Sequence, residues 1–91
     1  MRKEEVEIYS DNTNSAIIRH PGRHFPGVLI QGDNLYQLCH AADEICAKGK
    51  DALDAETFQK LNQLRNSLWG HLTNYKAVLV EHGIRIPFSE T

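Results

Sequence analysis

Phe58, Leu61, Leu64, Leu68, Leu72, Tyr75 and Leu79 recur at alternating steps of three and four. That spacing lays one apolar stripe along a helix and does not fit a strand, whose side chains alternate between two faces. The stripe runs to His82 and meets Gly83, so a helix is predicted from the N-cap candidate Asp54 to a stop at Gly83. Upstream, Leu35, Leu38, Cys39, Ala42, Ile45 and Cys46 repeat the helical spacing between Asp33, a second N-cap candidate, and Gly49, a left-handed stop. Leu38, Cys39, Leu61, Leu68 and Leu72 are the expected common core. Gly70 interrupts the longer helix and predicts a bend or a close helix contact there.

The N-terminal third has period two instead. Val6 and Ile8 alternate with Glu5, Glu7 and Tyr9, which reads as a strand from Glu4 to Ser10. The polar run Asp11-Asn12-Thr13-Asn14 reads as a turn, Ala16 to Arg19 as the returning strand, and Val28-Leu29-Ile30 as a third strand. Ile84-Arg85-Ile86-Pro87-Phe88 alternates again and reads as a last strand, with Pro87 at a sheet edge or strand end. The order is β-β-β-α-α-β: an α+β, two-layer fold in which an antiparallel helical hairpin lies on one face of a small, mainly antiparallel sheet. At 91 residues the expectation is a single α+β domain over 1–91.

Charge and cysteine usage exclude several classes. A formal net charge of −2 gives no overall attraction to a phosphate backbone, so nucleic acid is not an expected partner. No apolar run approaches the ~18 residues of a membrane span and no leader pattern precedes the first strand, so the expectation is a cytoplasmic protein with no membrane partner. Cys39 and Cys46, seven apart on one helix, have Cα atoms about 10 Å apart, too far for a bridge, and read as reduced core residues.

None of the five histidines makes a metal pattern. His20 and His24 have a spacing that suits zinc on a helix, which Pro21-Gly22 forbids, and His71 and His82 lie about 16 Å apart along theirs. His40 is expected on the wet face of its helix with Asp43 and Glu44 as ordinary solvated charge. No nucleophile elbow, phosphate loop or dinucleotide fingerprint occurs, so no cofactor is expected. Whether the chain is an enzyme stays open, with the balance against it.

The stretch from Arg19 to Asp33, RHPGRHFPGVLIQGD, concentrates what function the sequence signals. His20-Pro21-Gly22-Arg23 and Phe25-Pro26-Gly27-Val28 both match type II turns, in which Pro pre-sets one φ and Gly accepts the positive φ that follows. Two such turns would hold Arg23, His24 and Phe25 on a stiff loop suited to recognition. Together with VEIYSDNTNSAIIRH before it and EHGIRIPF near the end, this stretch resembles a family of short bacterial proteins of unknown function, with the pattern PGR-x-FPG, an aliphatic triplet, then QGD. The resemblance covers nearly the whole chain. It emphasises Pro21, Gly22, Arg23, Phe25, Pro26, Gly27, Gln31, Gly32 and Asp33 and implies no reaction; His24 falls at the variable position.

Arg19, Arg23, Phe25, Gln31 and Asp33 are the candidate binding residues. The leading expectation is a small interaction protein with a protein partner, of the toxin-neutralising (immunity) or regulatory kind, with twelve acidic residues available to face a basic partner. The rival is a small-ligand-binding domain or minor enzyme using Arg19, Arg23, Gln31 and Asp33. A homodimer is left open.

Overall fold

The computed structural model describes residues 1–13 and 15–89, in the order β1 (Glu7–Ser10), β2 (Ser15–Arg19), β3 (Gly27–Ile30), α1 (Gly32–Gly49) and α2 (Ala55–Glu81). The class is α+β, with three antiparallel strands followed by two helices. The chain divides into two compact units, Met1–Gln31 and Gly32–Thr91.

The first unit is a meander with strand order β1-β2-β3. In the expected turn before β2, the Thr13 hydroxyl donates to the Ser15 carbonyl at 3.0 Å and accepts from its amide at 3.2 Å; Asn14, also part of that turn, lies outside the described residues. β1 starts at Glu7, three residues later than the alternation from Glu4 suggests. It also carries a bulge: Ile8 faces Ile18 but Ser10 faces Ile17, so Tyr9 is an extra residue. Register with β3 then puts Ile8, Ala16, Ile18 and Leu29 on one side of the sheet. The other side holds Ile17, Val28 and Ile30 with Ser10, Ser15 and the Glu7–Arg19 ion pair.

The second unit is an antiparallel pair of helices. The Asp54 carboxylate accepts from the Thr57 amide at 2.7 Å, the N-cap expected there, and that bond holds its carboxyl below the usual range. At the other end of α2, His82 caps the helix and Gly83 has φ 69°. The Gly83 amide donates to Val80 and the Ile84 amide to Leu79, at 3.1 and 2.8 Å, the paired bonds of a Schellman stop. α2 passes through Gly70 unbroken, and a Cβ there would meet nothing within 4 Å, so the expected close contact is absent.

Two expected helix boundaries move. Asp33 does not cap α1: the helix begins at Gly32, and Asp33 sits in the first turn, where a carboxylate favours the helix dipole and accepts from the Asn34 amide at 2.9 Å. Gly49 is not left-handed; it is the last helical residue, and its carbonyl accepts from the Ala52 and Leu53 amides at 3.1 and 3.0 Å. Gly32 has a packing reason instead. A Cβ at that position would fall inside the Tyr75 ring of α2.

The core of this unit is Leu35, Cys39 and Leu72, with Leu68, Trp69, Tyr75, Tyr36 and Phe88 packed around it; Ala42 and Cys46 are also buried. Leu38, expected in that core, is 46% exposed. It lies about 100° around α1 from Cys39, off the line of Leu35, Cys39, Ala42 and Cys46 that meets α2. Both cysteines are free and buried, and burial raises the Cys39 thiol pKa, with the Asp43 carboxylate adding to it.

The expected last strand does not form, because residues 84–88 pair with no strand. Pro87 removes an amide that a ladder would use. Phe88 instead stacks on Tyr36 of α1, centroids 4.3 Å apart and planes 10° apart, and the Tyr36 hydroxyl donates to the Ser89 carbonyl at 3.2 Å. The alternation is real, but it serves a segment laid on helices.

Candidate functional site

The loop between β2 and β3 is braced from its own backbone. The Arg23 amide donates to the His20 carbonyl at 2.9 Å, and the Gly22 amide to Nδ1 of His20 at 3.1 Å. With Nδ1 accepting, the ring proton of the neutral imidazole belongs on Nε2. Arg19 pairs with Glu7 across β1 and β2, while its Nη1 reaches the Arg23 carbonyl at 3.4 Å. Thus Arg19, expected as a binding residue, holds the loop's main chain.

Neither Pro-Gly pair makes a type II turn. Gly83 is the only glycine with positive φ, so Pro21-Gly22 closes as a type I turn does, helped by the His20 ring on the Gly22 amide. Pro26-Gly27 is not a turn: Gly27 is already the first residue of β3, opposite Ile18. Proline fits both because its fixed φ suits type I turns and extended entry into a strand.

What the brace presents is Arg23, His24 and Phe25. The Arg23 guanidinium makes no hydrogen bond or ion pair with the described residues. Phe25 is 79% exposed, touched edge-on by the His24 ring at 5.8 Å between centroids. Together with Ile18, His20, Gly27, Val28 and Leu29 these three residues line an open recess of about 510 Å³. Among the described residues no carboxylate lies on its walls. Of the remaining candidates, Gln31 is exposed just after β3 and does not line the recess, and Asp33 belongs to α1 of the helical unit.

The helical unit holds a cluster around Asp43, expected with His40 and Glu44 as solvated charge; His40 and Glu44 are exposed, Asp43 only in part. Asp43 accepts on one oxygen from Arg65 Nε at 2.5 Å and from Trp69 Nε1 at 2.9 Å. The Arg65 hydrogen bond above all, joined by Trp69, holds the Asp43 carboxyl below its ordinary range, and Asp43 raises Arg65 in turn. His40 lies 4.4 Å from Tyr36 and 6.3 Å from Trp69 between ring centroids. The signal was present as spacing: Tyr36, His40 and Asp43 on α1 match Arg65 and Trp69, i and i+4, on α2. Chemically the cluster is a clamp between two helices, since its carboxylate is already held by two donors. Among the described residues no three His, Cys, Asp or Glu side chains gather as a metal site needs.

Fold and loop together define a class: a small α+β chain with a helical core and a braced, cationic–aromatic loop on a meander. The chain belongs to the Family of unknown function (DUF6959), whose model matches residues 1–88. No curated protein and no solved structure matches it. Among the described residues no helix is long and apolar enough to cross a membrane.

Proposed function

We propose that this is a protein-interaction module whose contact surface is the loop from His20 to Phe25 with the adjoining recess, acting on a partner in the cytoplasm, in the manner of a neutralising or regulatory subunit. One observation carries the reading. A guanidinium without a partner among the described residues and a phenyl ring 79% exposed stand together on a main chain held by three hydrogen bonds. Arg and aromatic side chains are the residues that most often dominate interface energetics, and a pre-ordered loop loses little entropy on docking. The cytoplasmic setting suits Cys39 and Cys46, both free thiols within the helical unit.

The ligand or enzyme reading of Arg19, Arg23, Gln31 and Asp33 is less well supported. Arg19 is occupied by Glu7 and the Arg23 carbonyl, the Asp33 carboxylate by the Asn34 amide, and Gln31 lies off the recess. The test is capture of a stoichiometric partner from the native cell extract by wild-type protein, Arg23→Ala and Phe25→Ala, with unfolding measured for each. Capture lost in both variants at unchanged stability supports the reading; capture indifferent to both refutes it.

A further inference from the structure

The two edges of the meander differ. β1 is guarded in the way natural sheets guard an edge, by Glu7 and by a bulge between Ile8 and Ser10. β3 has neither charge nor internal proline, and its sequence is Gly-Val-Leu-Ile. Among the described residues only β2 pairs with it, and no other backbone hydrogen bond reaches residues 27–30. Every second residue of β3 therefore turns its N–H and C=O outward, a row of donors and acceptors ready for another strand.

The recess adjoins this strand. Gly27, Val28 and Leu29 form part of its wall, and Arg23 stands at the end where β3 begins. An occupant that covered Arg23 without a negative charge would leave a guanidinium desolvated and unpaired. We infer that the partner enters as an extended segment added to the open edge of β3, with aliphatic side chains over Leu29 and a carboxylate held by Arg23 level with Gly27. The occupant is thus an acidic, extended stretch of another protein. Main-chain bonds to β3 would supply affinity, and the carboxylate on Arg23 would set register and selectivity. This rests on the His20–Phe25 loop being the contact surface.

The experiment is an amide-resolved NMR titration of the full chain with acetylated, amidated Val-Thr-Glu-Thr-Val, whose valines share a face with the glutamate as Leu29 does with Gly27, beside the same peptide with lysine in place of glutamate. The expected result is that amides of Gly27 to Ile30 shift together with Arg23, and that outward amides of β3 gain protection from exchange. The lysine peptide should bind about tenfold or more weakly, and Arg23→Ala should erase that difference while Arg23→Lys keeps part of it. Shifts confined to Arg23 and His24, with β3 unmoved, would mean an anion site without strand addition and would overturn the inference. So would no shift at millimolar peptide, shifts of β3 that follow protein concentration alone, which would mark a second copy, or displacement of the acidic peptide by a single-stranded oligonucleotide of equal charge. None of these outcomes bears on the capture experiment with Arg23→Ala and Phe25→Ala, so the contact surface and the mode of docking fail separately.

Discussion

In Met1–Gln31 no described side chain is buried, although β2 and β3 are mostly aliphatic; in Gly32–Thr91 Leu35, Cys39, Ala42, Cys46 and Leu72 are, and a ring of partly buried aromatics surrounds them. The order of the first unit comes from ladder hydrogen bonds, the Glu7–Arg19 pair and the bonds around His20. That of the second comes from packing. A three-stranded meander with no buried side chain among the described residues has little stability of its own, so its regularity rests on those bonds. On the proposed reading, core and recognition fall to different stretches of one short chain.

The largest expected effect is on the packed side of this comparison. Leu72 is fully buried between the helices, so Leu72→Ala should lower unfolding free energy by ~2 to 5 kcal/mol in a urea titration. An unchanged midpoint would mean the core is elsewhere. Next is Gly32→Ala, which should cost ~1 to 3 kcal/mol because the new methyl displaces Tyr75. In a Tyr75→Ala background the same change should be neutral or favourable, alanine being the better helix former; a penalty that persists there would remove the steric explanation.

Asp43→Asn weakens the clamp and should cost about 1 kcal/mol near neutral pH, the scale of a partly solvated charge-assisted bond. The direction of the Asp43 shift also fixes a pH window. Its folded pKa is depressed, so its contribution is complete above the unfolded carboxyl pKa of about 3.9 and is lost as pH falls through the lower folded value. Stability of wild type and Asp43→Asn should therefore converge in acid; curves that stay parallel down to the acid limit would show that the charge of Asp43 is not what holds Arg65.

On the presented side, effects on stability should be small. Gly27→Ala meets nothing within 4 Å and needs no positive φ, so it should be neutral or stabilising by ~0.4 to 1 kcal/mol, whereas Gly83→Ala, at φ 69°, should destabilise. Arg23→Ala should change the melting curve least, within ~0.5 kcal/mol, while abolishing partner capture. If it unfolds the protein as Leu72→Ala does, the two units do not divide core from recognition.

Both helices were legible because their causes are local: the stripe from Phe58 to Leu79, the Asp54 cap and the Gly83 stop each act within a turn or two. The first three strands were legible from alternation, and Arg23 and Phe25 from turn residues around them. What was not legible depended on residues far away in sequence. Leu38 and Cys39 are neighbours of similar apolar character, and only the line of approach of α2 decides that one is buried. Asp43 looked like solvated charge until α2 brought Arg65 and Trp69 to the same oxygen. Gly32 belongs to a turn motif in the sequence and to the face of Tyr75 in the folded chain.

The amino-acid sequence by itself determined the period of each segment, and with it α+β class, element order and the position of the exposed loop, because hydrophobic periodicity and turn chemistry are properties of a few adjacent residues. Only tertiary structure decided what each period is used for. Ile84 to Phe88 has the alternation of a strand, yet lacks one amide at Pro87, and Phe88 finds Tyr36 where a strand would have found a ladder. A side chain's periodicity says that it has two faces; which surface covers one of them is settled by chain that comes from elsewhere.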